Sequence, residues 1–122
     1  MAMIKFKMYE IKNMKDPLSK LIDKEIPVNT AFRLNKLVKS IDEYLTEIEE
    51  YRVKLINQFG EKNEEKNQIE VPPKKMKDFS QQMNELLNEE VEIDFKPINI
   101  NMFGDNLMLS TKDLMVLEKL FE

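Results

Sequence analysis

Residues Asn29 to Phe59 read NTAFRLNKLVKSIDEYLTEIEEYRVKLINQF, and the periodicity of this stretch decides the fold. Leu34, Leu37, Ile41, Tyr44, Ile48, Tyr51 and Leu55 recur at steps of three and four, which places them on one face of a long helix. Val38 and Leu45 widen that face, while Lys39, Asp42, Glu43, Glu47, Glu49, Glu50 and Lys54 occupy the solvated back. Asn29 or Thr30, after Pro27, offers a side-chain oxygen to cap the first turn, and Gly60 stands where a left-handed residue closes a helix. At 1.5 Å per residue the helix is roughly 45 Å long. A domain of this size has a radius of gyration of about 14 Å, so the helix end overhangs its own body. Leu55, Ile56 and Phe59 near that end are the expected homo-oligomer interface. Packing within the chain accounts for most of the seam, because two tyrosines at core-type positions argue against a strict coiled coil.

On the N-terminal side, Ile4, Phe6 and Met8 alternate with Lys5, Lys7 and Tyr9, the period of a half-buried strand. Asp16-Pro17 then reads as a cap and first helical residue, opening a short helix through Leu18, Leu21 and Ile22 that stops before Pro27. Beyond Gly60, residues 61–67 contain no apolar side chain and read as an exposed loop. Ile69 and Val71 suggest a brief edge strand ended by Pro72-Pro73. From Lys75 to Glu90, Met76, Phe79, Met83, Leu86 and Leu87 repeat at helical spacing and predict a helix antiparallel to the long one. Val91, Ile93 and Phe95, continued past Pro97 by Ile98 and Ile100, form the clearest strand and the expected centre of a small sheet. Gly104-Asp105-Asn106 is turn chemistry. Ser110 opens a capping box with Asp113, and Leu114, Leu117, Leu120 and Phe121 supply the apolar face of a terminal helix. The chain is therefore expected to be a single helix-rich α+β domain over residues 1–122. It has one long central helix, two or three shorter helices and a small antiparallel sheet.

Composition narrows the function. With His 0 and Cys 0 the common general bases, thiol nucleophiles and zinc or haem ligands are missing together. The expectation is a protein that is not an enzyme and holds no cofactor or metal, with Glu47, Glu49 and Glu50 as a solvated face. A net charge of −4 argues against duplex nucleic acid as a partner, since that affinity comes largely from cations on phosphates. The longest apolar runs fall far short of the roughly 18 residues of a membrane span, so a soluble intracellular location is expected, without a membrane partner. The 9 methionines include Met8, Met76, Met83, Met102, Met108 and Met115, whose positions assign them to an adaptable core.

Arg33 and Arg52 are the only arginines. A guanidinium grips phosphate or carboxylate through two hydrogen bonds, so Arg33, Arg52 and Lys54, with Tyr51 as a stacking face, are the candidate ligand-binding set. The competing reading has the arginines pair with acids on the helix surface. Two oligomer subunits crossing at the helix end would bring Arg52 and Lys54 of both copies together, where an anion relieves the repulsion.

The long charged helix ending near Gly60, the polar loop, Asn84-Glu85-Leu86-Leu87-Asn88 running into Glu89-Glu90-Val91-Glu92-Ile93, and Leu109-Ser110-Thr111-Lys112-Asp113-Leu114 together resemble a family of small tailed-phage proteins known only as a domain of unknown function. The resemblance covers about half of the chain and is weaker over the first strand and from Pro97 to Met108. It implies a phage accessory protein acting in the host cytoplasm and transfers no catalytic residue. Two functions follow: a non-enzymatic protein that oligomerises and binds or inhibits a host protein, or an anti-defence sponge that sequesters a small anionic, nucleotide-like immune signal between subunits. Convergence of the cations and a tyrosine on one concave surface is the feature that separates them.

Overall fold

The computed structural model describes residues 3–122. Strand β1 (Met3–Lys7) leads directly into helix α1 (Met8–Ile22), and the long helix α2 (Val28–Phe59) follows. A hairpin of β2 (Glu61–Asn63) and β3 (Gln68–Glu70) connects to α3 (Pro73–Leu87) and then β4 (Glu90–Asp94). A 3-10 turn over Ile100–Phe103 precedes α4 (Thr111–Leu117), which tightens into a second 3-10 turn over Glu118–Leu120. The fold is α+β and helix-rich, as the periodicities predict. The sheet is smaller than expected: β1 pairs antiparallel with β4, and β2 pairs with β3 in a separate ribbon.

The seam of α2 is buried where the spacing places it, at Leu34, Leu37, Ile41, Ile48 and Leu55. α1 and α3 both pack on this helix. α1 is twice the expected length, because Asp16-Pro17 does not start it. Met8, Ile11, Met14, Leu18 and Leu21 form one buried helical stripe, and Pro17 sits within it. An interior proline costs about 3 kcal/mol. Each apolar side chain buried fully returns roughly 1.5–3 kcal/mol, so the stripe outweighs the missing hydrogen bond. Met8, assigned to the strand by alternation, is the first residue of the helix, and its backbone N–H donates to the Glu89 carbonyl at 3.0 Å.

Both caps of α2 differ from expectation. The chain enters the helix at Pro27, and no side chain caps it. Thr30 is instead buried within the first turn. At the other end Gly60 is extended rather than left-handed, with φ −78° and ψ 155°. Its need is for space, since a Cβ would collide with the Ile56 carbonyl oxygen and the Ile69 side chain. The polar stretch after it is a hairpin rather than a loop, organised by local hydrogen bonds. Asn63 Oδ1 accepts from the backbone N–H of Glu65 at 3.1 Å and of Lys66 at 3.3 Å, and Asn67 takes a positive φ of 50°, which asparagine tolerates.

Past Pro97 the expected long strand dissolves into one parallel bridge between Ile98 and Phe121. Pro97 has no N–H to continue a ladder, and the Arg33 guanidinium donates hydrogen bonds to the Lys96 and Pro97 carbonyls there. The capping box at Ser110 forms as read, with Asp113 N–H donating to Ser110 Oγ at 3.0 Å and Ser110 N–H to Asp113 Oδ2 at 3.2 Å. Leu117 and Leu120 enter the core, whereas Leu114 stays exposed. Among the described residues no helix is long and apolar enough to cross a membrane.

Ile48 is 5% exposed at the middle of α2. Substituting Ile48→Asp is expected to cost at least about 3 kcal/mol, because an unpartnered carboxylate would enter the core. Urea denaturation followed by far-UV circular dichroism checks this, and an unchanged midpoint would mean the face is not core.

Candidate functional site

The candidate anion ligands do not converge within one chain. Arg33 lies on the second turn of α2, where its Nη2 donates to the Pro97 carbonyl at 3.0 Å and to the Lys96 carbonyl, and its Cζ lies 5.9 Å from the Phe95 ring centre. The guanidinium thus fastens the end of β4 to α2, a role that neither the anion-ligand nor the surface-acid reading foresaw. Arg52 lies nineteen residues on, about 28 Å along the axis at 1.5 Å per residue. It pairs with Glu49 through two hydrogen bonds of 2.9 and 2.5 Å, the surface ion pair expected as the alternative to ligand binding. That hydrogen-bonded contact, more than the Coulomb attraction, holds the Glu49 carboxyl below and the Arg52 guanidinium above their ordinary values. Lys54 is exposed and Tyr51 half-buried on neighbouring faces of the same helix.

The overhang that motivated an interface at the end of α2 is absent. α3 and β3 pack on α2, Leu55 is 1% exposed, and Ile56 and Phe59 are half-buried. The reason is that α3 doubles back: Lys74 and Lys75, in its first turn, both reach Glu61 just past the end of α2. Leu55 has no surface left for a partner. The polar depression along α3, about 1140 Å³ and lined by Lys77, Ser80, Gln81, Asn84, Glu85, Asn88, Glu89 and Glu90, has no apolar anchor. Among the described residues no three Asp, Glu, His or Cys side chains come together in a way that could hold a metal ion.

The exposed apolar surface gathers elsewhere. Ile100, Thr111, Leu114, Met115, Glu118, Phe121 and Glu122 line a groove of about 580 Å³. Met115 is 72% exposed, Met108 is 84% exposed, and Met102, Ile100 and Leu114 are exposed to a lesser degree. Met76, Met102, Met108 and Met115 are therefore surface residues and not core, unlike Met8 and Met83, which are buried. Phe121 backs the groove and meets Phe103 edge to face, with ring centres 6.2 Å apart.

Three contacts fix the orientation of α4 above this groove. Lys20 Nζ reaches Asp113 Oδ2 at 2.5 Å. Lys119 turns to the opposite side, donating to the Lys5 carbonyl at 2.9 Å and pairing with Glu10 at 3.0 Å, with its Nζ 5.3 Å from the Phe6 ring centre. Leu117 is fully buried. With Lys119 engaged by Glu10 and the Lys5 carbonyl, the Glu118 and Glu122 carboxylates at the groove have no ion-pair partner among the described residues. The sequence carries a signal for this groove in Leu114-Met115-Val116-Leu117, four consecutive apolar residues on a helix of two turns. One buried face cannot hold all four.

Comparisons with family models, with curated proteins and with solved structures found no match.

Two predictions test the polar contacts. Arg33→Met is expected to destabilise the fold by about 2 kcal/mol, the scale of hydrogen bonds to a charged group. Arg33→Lys is expected to recover less than half, since an ammonium lacks the planar fork; urea midpoints with unchanged slopes measure both. The Lys20 hydrogen bond, followed by the bond from the Ser110 backbone N–H, holds the Asp113 carboxyl below its ordinary value. A carboxylate depressed in the folded state stabilises above its unfolded pKa, and that contribution is lost as pH falls through the folded one. The gap in melting temperature between wild type and Asp113→Asn is therefore expected to be full near pH 6 and to shrink below about pH 4. A gap independent of pH would show that the ion pair contributes nothing.

Proposed function

We propose that the chain is a non-catalytic interaction protein that docks a polypeptide in the groove beside α4. The observation that carries this reading is the concentration of Met115, Leu114, Ile100 and Phe121 around one concavity. A contiguous apolar surface rimmed by polar groups marks a docking site rather than chance exposure. Thioethers suit it, because an unbranched side chain repacks against partners of different shape. Against catalysis stand the composition, His 0 and Cys 0, and the character of the titratable groups with shifted pKa values: Glu49 and Arg52 pair with each other, and Asp113 pairs with Lys20 and caps α4. The resemblance to tailed-phage accessory proteins makes a host protein in the bacterial cytoplasm the expected partner of such an assembly. The sponge reading has no corresponding support, since Arg33 and Arg52 are each engaged within the chain.

The test is site-specific photocrosslinking in bacterial cells that express the protein. A photoreactive phenylalanine analogue at Met115 is expected to give a discrete higher-mass adduct, identified by mass spectrometry. The same analogue at Lys62, on the exposed hairpin, is expected to give none. Absence of an adduct at Met115, or equal adducts at both positions, overturns the reading.

A further inference from the structure

A second apolar surface lies at the corner between α1 and α2. Val28 is 80% exposed and Phe32 is 61% exposed, one turn apart on the first turns of α2, and Ile22 at the end of α1 is also exposed. Beside them is a hollow of about 220 Å³ walled by Ile22, Ile26, Ala31, Leu34 and Val38 together with Lys24 and Asn35. The Lys36 ammonium lies 5.5 Å from the Phe32 ring centre and has no ion-pair partner among the described residues. From Val28 to Ile41, α2 carries Arg33, Lys36 and Lys39 and no acid.

This corner and the groove are complementary. The corner projects an aromatic ring and a branched aliphatic beside an uncommitted cation. The groove offers an apolar floor beside the two uncommitted carboxylates of Glu118 and Glu122. Each surface also has what the other can fill: Met115 protrudes at the groove, and the corner holds a hollow. An aromatic anchor seated in an apolar pocket and ringed by charge pairs is the arrangement that concentrates binding energy at protein interfaces.

We propose that the groove of one copy receives the Val28–Phe32 turn of a second copy, with Lys36 set against Glu118 and Glu122. This deepens the docking reading and rests on it. It also moves the self-association surface from the end of α2 to its beginning.

Light scattering and sedimentation on the full chain, from micromolar to millimolar, provide the test. The wild type is expected to gain mass with concentration. Phe32→Glu and Met115→Glu change exposed positions, so both are expected to keep the wild-type circular dichroism spectrum and to be monomers when alone. Mixed in equal amounts they are expected to form a complex, because each supplies the half that the other lacks. Lys36→Glu is expected to weaken association at least tenfold, and adding Glu118→Lys and Glu122→Lys to it is expected to restore association. A wild type that stays monomeric at millimolar concentration, either single variant still assembling alone, or a mixture that stays monomeric would each overturn the pairing. A Met115 crosslink to a different protein beside a monomeric wild type would leave the docking reading standing and remove this one. No crosslink and no self-association would remove both.

Discussion

Leu34, Leu37, Ile41 and Ile48 make an apolar stripe along α2, and the rest of the core is built around it. α1 lies along the first part, with Ile11, Met14, Leu18 and Leu21 turned inward. Phe6 from β1, Ile93 from β4, and Phe95, Ile98, Phe103, Leu117 and Leu120 complete the same cluster. A two-stranded sheet is marginal by itself in water, so β1 and β4 persist because their inward side chains belong to this core. The same burial lets α2 begin without a side-chain cap, a lack that costs about 1 kcal/mol, and lets α1 carry Pro17.

Three cations close the structure across long sequence separations. Arg33 holds the segment after β4, Lys119 holds β1 and the start of α1, and Lys20 holds the start of α4. Their positions explain which charges are left over. Lys119 engaged with Glu10 leaves Glu118 and Glu122 without an ion-pair partner at the groove among the described residues, and Lys36 lies over the Phe32 ring while Arg33 is taken up by backbone carbonyls. The unpaired charges therefore border the exposed apolar surfaces, and an assembly that joins those surfaces would neutralise both signs together.

α4 is short enough to divide its apolar residues between core and surface. Seven residues make about two turns, enough to bury Leu117 while Leu114 and Met115 face away from the core. The capping box at Ser110 and the ion pair from Lys20 hold the helix in place from its polar end. Its outer apolar side is thus displayed on a fixed element rather than a loose one.

The residues themselves determine the long helix, the helical character of α3 and the start of α4, because local periodicity and a capping box depend only on neighbours three and four positions away. The α1 stripe was equally periodic, but Asp16-Pro17 gave a stronger local signal for a boundary, and only burial against α2 and α4 overruled it. Ile69 and Val71 mark the second strand of the hairpin after Gly60, but its first strand is hidden, because the turn rests on Asn63 and a left-handed Asn67 rather than on apolar alternation. Arg33 and Arg52 look alike in the sequence. Tertiary structure gave one a pair of backbone carbonyls sixty-three and sixty-four positions away and the other a glutamate one turn back. The same holds for the methionines, since hydrophobicity states that Met14 and Met115 both prefer burial, while the area available beneath each helix decides which obtains it. A fold of 122 residues has too little interior for every apolar side chain, and where the surplus emerges is set by how the elements pack.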